Sequence, residues 1–275
     1  MPEGTRFAPL PAIHRARGFR LYDTRGRRYL DLDREGALLG HRAATTLTVM
    51  KSVLSQGLAT GLPTAWQGRL AATLRALMPD YPEVRFYSSP EKAHAAIRHL
   101  TNAPHAAAEV HDPAFGPSSA PGARVALWRP FLPVPAGMRA LLPVLPLSIC
   151  GAPAVVCTPA GLEPELPESE TLPGFLLAAA VRACAALERI PADSHTLGDS
   201  DLERAIDAAV GRWARVGPYV HAVFPAGLYA QTHAEFLRAG VYLRPVYPGP
   251  SVLPGECSPG EISLLANLFA RTPGG

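Results

Sequence analysis

The chain reads as an α/β protein built on a mainly parallel sheet covered by helices. Three observations point there. Through the middle of the chain, short apolar runs rich in valine alternate with stretches of helical spacing, the pattern of strands and crossover helices. One strand, Val84 to Tyr87, leads directly into Ser88-Ser89-Pro90-Glu91, a helix start with a hydroxyl N-cap and proline in the first turn. A second, Ala154 to Thr158, is followed closely by an apolar helix opening at Thr171-Leu172-Pro173-Gly174.

The remaining elements follow in order. Phe19, Leu21 and Tyr29 suit two short strands around the turn Asp23-Thr24-Arg25-Gly26, whose glycine supplies a positive φ. Gly40-His41 ends this extended region. From Thr45 to Leu58 the spacing becomes helical, with Gly57 and Gly61 as stops, and a second helix spans Ala65 to Leu77 before Pro79. The helix opened by Ser89 runs to about Leu100. Further helices are expected at about 174–190 and 201–214, then a strand from Tyr219 to Phe224 and a helix at 229–239. A strand from Val241 to Arg244 and a helix at 259–271 complete the chain.

Composition narrows the function classes. Only 18% of residues are charged and nearly half are apolar, as in an ordered globular protein. The basic residues are scattered and almost all arginine, with one short cluster at Arg25, Arg27 and Arg28. Without a basic stripe and interleaved aromatics, no nucleic-acid partner is expected. Cys150, Cys157, Cys184 and Cys257 form no CxxC pair and read as free thiols. The nine histidines show no HxH or HxxxH spacing, so no metal site is expected. The apolar run Leu141 to Val156 is broken by Pro143, Pro146 and Pro153, which argues against a membrane span. No basic segment followed by an apolar core opens the chain, so a cytoplasmic location is the default expectation.

Several stretches together resemble class III pyridoxal-phosphate (PLP) aminotransferases of fold type I. They are Ile13-His14-Arg15-Ala16-Arg17-Gly18, the hairpin Leu21 to Asp31, and Leu39-Gly40-His41. Gly57-Leu58-Ala59-Thr60-Gly61-Leu62-Pro63-Thr64 is similar to a loop of glutamate-1-semialdehyde 2,1-aminomutase. Val84 to Ala93 stands where that family has its phosphate-binding turn. Gly240 to Pro245 and Ser258 to Ile262 resemble its last strand and helix. The resemblance is thin between about 101 and 170, where the chain is much shortened. It implies residues 1–44 and 195–275 as the two parts of a smaller α+β domain, and 45–194 as a reduced large domain.

The departures from that pattern carry the functional expectation. The chain has two lysines, Lys51 and Lys92, and neither stands where the family's Schiff-base lysine should lie. Ser89 replaces the small glycine of the phosphate turn, and Pro90 removes an N–H donor there. Thr158 falls nearest the aspartate that faces the pyridine nitrogen, and a hydroxyl cannot hold that nitrogen protonated. By resemblance, the vestigial cofactor contacts are Ser88, Ser89, Glu91, Thr158 and Thr171, the last of which in the family reaches a neighbouring subunit's phosphate. Arg6 corresponds to an arginine that pairs with the substrate carboxylate, if a deletion precedes Ile13; otherwise it is a surface charge. Lys92, in the first turn after the phosphate loop, reads as a solvated helix residue or else as a ligand for an anion or an aldehyde. His41 reads as structural. His111-Asp112 is either a worn remnant of a cofactor-stacking segment or a plain loop dipeptide. Ser194, His195 and Asp199 lack a nucleophile elbow and read as an inter-helix loop.

The resulting expectation is an aminomutase-like protein without catalytic residues and without covalently bound cofactor, retaining a binding or subunit-association role. A homodimer is expected first, and a heterodimer with an intact aminotransferase second. The alternative is a carrier or enzyme that holds PLP or its amine form, PMP, non-covalently.

Overall fold

The computed structural model describes residues 7–33, 38–41, 43–101, 110–116, 122–147, 149, 151–162, 165–190, 201–209 and 211–272. Strands β1 (Ile13–Arg17), β2 (Arg20–Asp23) and β3 (Arg28–Asp31) come first, then helices α1 (Ala44–Ser55) and α2 (Ala65–Leu77). Next are β4 (Glu83–Tyr87), α3 (Pro90–Thr101), β5 (Val110–His111), β6 (Val125–Trp128), β7 (Ala140–Pro143), β8 (Ala154–Thr158) and α4 (Gly174–Leu187). The last part holds α5 (Asp201–Ala208), β9 (Trp213–Val216), β10 (Tyr219–Ala222), α6 (Ala226–Ala239), β11 (Val241–Tyr242), β12 (Ser251–Val252) and α7 (Pro259–Arg271). The chain divides into two compact units, one of Met1–Arg42 with Pro191–Gly275 and the other Ala43–Ile190.

The central unit, Ala43–Ile190, carries a five-stranded sheet in the order β4-β8-β7-β6-β5. β5, β6 and β7 are parallel, and β8 runs antiparallel to both of its neighbours. Four strands therefore share one direction, and β8 alone opposes them. Side chains alternate across the sheet. Val125, Ala140, Leu142 and Val156 pack with Ala93, Ala96, Ile97 and Leu100 of α3. α2 covers the other face beside β4, and α4, apolar but for Arg182 and with nine buried residues, packs on α1 and α2. The free side of β4 is closed by chain rather than by a strand. Ser169 Oγ accepts the Phe86 N–H at 3.1 Å, and the Glu170 N–H donates to the Phe86 carbonyl at 2.9 Å.

The other unit holds the sheet β1-β2-β3-β11, with β11 parallel to β3, and the antiparallel set β12-β10-β9. The expected hairpin turn is present: the Asp23 carboxylate accepts the N–H groups of Arg25 and Arg27 at 2.9 and 2.8 Å, with Gly26 at φ 81°. His41 pins the end of this sheet, its Nε2 lying 2.7 Å from Asp31 Oδ2, and its backbone pairs with Gly18. The core is aromatic, with Trp213 set edge-on to Phe224 and Phe269 at centroid distances of 5.3 and 5.0 Å. The helix expected over 201–214 stops at Ala208. Gly211 at φ 84° reverses the chain, and Trp213 begins a strand instead. The strand expected to run to Arg244 pairs only through Tyr242, after which Arg244 N–H bonds to the Ser251 hydroxyl.

Candidate functional site

In an open α/β sheet, ligands sit beyond the carboxyl ends of the parallel strands. In the central unit that edge gathers the ends of β4 (Tyr87-Ser88), β7 (Pro143-Val144), β6 (Trp128-Arg129) and β5 (His111-Asp112). The first turn of α3 adds Ser89, Pro90, Glu91 and Lys92.

At the β4–α3 junction the expected residues do come together. Ser89 is the N-cap of α3, its Oγ accepting the Lys92 N–H at 3.3 Å, and the Ala93 N–H donates to the Ser89 carbonyl. Lys92 Nζ donates to Ser88 Oγ at 3.0 Å and to Glu170 Oε1 at 2.5 Å. The second oxygen of Glu170 accepts the Ser88 N–H at 2.8 Å. The Lys92 ammonium, with the Ser88 hydroxyl and N–H, lowers the Glu170 carboxyl to about 2. The Glu91 carboxyl is also lowered, first by the Ser89 hydroxyl and then by its own backbone N–H. Sequence reasoning missed Glu170, because nothing local marks a residue that reaches a turn 82 positions earlier.

This turn does not fit a phosphate. A helix start binds an anion through free N–H groups. Here the Ser88, Lys92 and Ala93 amides already have partners, and position 90 has none to give. Two carboxylates stand where a dianion would go, and Lys92 is already tied to one of them.

Thr158 is not brought to this edge. β4 and β8 pair antiparallel with Tyr87 opposite Ala154 and Glu83 opposite Thr158. Thr158 thus lies four residues, roughly 13 Å, along the pair from the end that carries Ser88. The expectation that it faces a cofactor ring shared with Ser88 is corrected: β8 is the strand that runs against the others. Thr158 is fully buried, and its Oγ1 has no hydrogen-bond partner. Thr171 is exposed and packs against the 57–64 loop, where a Cβ on Gly61 would lie 2.7 Å from the Thr171 carbonyl oxygen. Arg6, Arg42, Cys150, Ser194, His195 and Asp199 lie outside the described residues.

His111 and Asp112 prove to be part of the packed edge. Asp112 accepts both Arg129 Nε and Nη2 at 2.6 Å, a two-pronged pair, and its Oδ1 also accepts the Ala114 N–H at 3.0 Å. Arg129 is only 3% exposed, so the middle of the edge carries a buried, committed cation. An arginine closing an apolar strand at Val125 to Trp128 was the available signal.

Lys51 is exposed on α1, and Lys92 is bound to Glu170 and Ser88. Beside α3, between the end of β7 and the start of β8, lies a cavity of about 250 Å3 with an almost wholly apolar lining. Among the described residues, no group of three or more His, Cys, Asp or Glu could hold a metal ion. No helix among them is long and apolar enough to cross a membrane.

No family model matches the chain. An uncharacterized protein of Treponema pallidum is 29% identical over 281 residues, covering 88% of each chain. A glutamate-1-semialdehyde 2,1-aminomutase of Leptothrix cholodnii is 34% identical over 89 residues, which are 31% of this chain and only 20% of that enzyme. Among solved structures, an ornithine aminotransferase from Plasmodium yoelii superposes with a TM-score of 0.71 at 14% identity, over 97% of this chain and 94% of that one. The fold is therefore that of the fold-type-I PLP-dependent aminotransferases.

Proposed function

We propose that this chain carries the aminotransferase fold without its Schiff-base chemistry and serves through association, first with a second copy of itself. One observation carries the first half. The chain has no lysine between Thr158 and Thr171, where the resemblance calls for one, and of the two it has, Lys51 is exposed on α1 and Lys92 is tied to Glu170 and Ser88. The occupied turn at Ser88 to Lys92 supports the same reading. The test is incubation with PLP followed by borohydride and peptide mapping. No reduced adduct on Lys51 or Lys92 is expected, and a stoichiometric adduct on either overturns the proposal.

Association draws on the region of α1 and the 57–64 loop. Leu54 and Leu62 are 42% and 48% exposed there, which a soluble surface tolerates singly but a partner would cover. Sedimentation at micromolar concentration should give a dimer, split by Leu62→Arg. Gly61→Arg is the weaker probe, because its side chain would collide with the Thr171 backbone within the same chain. A monomer that shifts only when an intact aminotransferase of the same cell is added would favour the heterodimer. A monomer in both cases ends the association reading.

The second reading is a carrier of PLP or PMP held without a covalent bond. The Ser88, Ser89 and Lys92 side chains at one helix start favour it, but Glu170 must first leave. Calorimetry with PMP should show no binding to the native protein. Micromolar binding to the native protein would replace the first reading by this one.

A further inference from the structure

The cavity beside α3 offers more than an absence of lysine. Its floor is made by Ala93, Leu142, Leu145 and Val155, all buried, and its walls by the half-exposed Leu127 and Val144. No charged side chain lines it. Pro90, at the α3 side, offers no N–H, so the helix start that would greet an anion is closed at this point. The one polar side chain on the lining is His94, itself exposed and thus at the mouth.

We propose that this cavity binds a small, uncharged, largely apolar molecule of one or two fused rings. The size argument is direct: a dry cavity of about 150 Å3 lined by aliphatic side chains takes benzene. The space here is about 250 Å3. The chemistry follows from the lining. A phosphate, carboxylate or ammonium would lose its water and find no paired charge, a large desolvation cost. A ring with a single neutral N–H or hydroxyl loses little, because that group can turn toward His94 at the rim. The position is the crevice beyond the carboxyl end of a parallel strand, where this class of sheet binds ligands. The site thus selects its guest by apolar contact rather than by charge. The inference goes beyond the association role and stands without it.

The probe is indole, titrated into protein carrying 13C-labelled Leu, Val and Ala methyls. Saturable shifts confined to the Leu, Val and Ala methyls of the lining, Leu127 and Ala154 included, are expected, with a Kd on the order of 0.1–1 mM for a ligand of this size. Benzoate should shift these methyls at least tenfold more weakly. Val144→Asp, on the half-exposed wall, should weaken indole at least tenfold while leaving the thermal midpoint in place. Ala152→Leu, which fills the space, should abolish the shifts. The proposal fails if indole gives no saturable shift at 5 mM, if the shifts are scattered, or if benzoate binds as well. It also fails if PLP moves the same methyls at lower concentration than indole. Loss of the non-covalent site and gain of a borohydride-trapped adduct are separate readouts, so either conclusion can fall alone.

Discussion

Helices α3 and α7 begin with nearly the same residues and are held in different ways. α7 starts Ser258-Pro259-Gly260-Glu261 and forms a complete capping box. Ser258 Oγ accepts the Glu261 N–H at 3.3 Å, and the Glu261 carboxylate accepts the Ser258 N–H at 2.8 Å. Arg20 from β2 then grips both oxygens of that carboxylate at 2.9 and 2.6 Å. α3 starts Ser89-Pro90-Glu91, with its glutamate one position too early to close the box. Its neighbour Ser88 is served by Glu170, from a distant stretch. Both Glu261 and Glu170 are lowered to about 2, the first by Arg20 and the second by Lys92. Burial separates their worth. The Glu261 residue is 5% exposed, whereas the Glu170 and Lys92 side chains are 32% and 56% exposed. Equal proton affinity at two helix starts does not mean equal stabilisation.

The strongest way to break this comparison is Glu261→Gln. It keeps one acceptor for the box but removes the charge and one of the two oxygens that the part-buried Arg20 guanidinium grips, and should cost about 1.5–3 kcal/mol in urea unfolding. A loss below about 1 kcal/mol would make the two starts equivalent. The next largest effect is on acid sensitivity. A carboxylate lowered on folding stabilises fully above its ordinary value near 4.5, and that stability is lost as pH falls toward 2. Thermal midpoints measured from pH 6 to pH 2.5 should therefore drop, and Glu261→Gln should flatten most of the drop. Glu170→Gln comes third, at under about 1 kcal/mol, because water screens its partner. Its effect lies in binding: with the charge that holds Lys92 gone, the ammonium is freed to meet a phosphate, and PMP should acquire measurable heat that the native protein lacks. If it stays silent, Glu170 is not what closes the turn. Lys92→Ala is the smallest, within about 0.5 kcal/mol, and Tm should barely move.

How far these features could be read from residues alone depends on the range of the interaction. Ser258-Pro259 and Glu261 form a local signal, and α7 begins and ends at the expected positions. The same holds for Ser89-Pro90 at α3 and for the Asp23 to Gly26 turn. The direction of β8 was not legible, because Ala154 to Thr158 has the same apolar alternation whichever way its neighbours run. This is why Thr158 was assigned to the wrong end of the sheet. Glu170 and the Arg129–Asp112 pair were missed for the same reason: each depends on partners brought close only by the finished sheet.

The way Glu170 reaches the α3 turn has a mechanical consequence. The residue before it accepts the Phe86 N–H on its hydroxyl oxygen, and Glu170 itself gives its amide to the Phe86 carbonyl, so one short stretch both hems β4 and delivers the carboxylate. A ligand able to push Glu170 aside would tug on that hem and bare the Phe86 amide and carbonyl, the sort of edge that recruits another strand. Occupancy of the turn and fraying of the sheet are thus one motion. Faster deuterium uptake at Phe86 would report a guest at Ser88 even if the guest itself gave no signal.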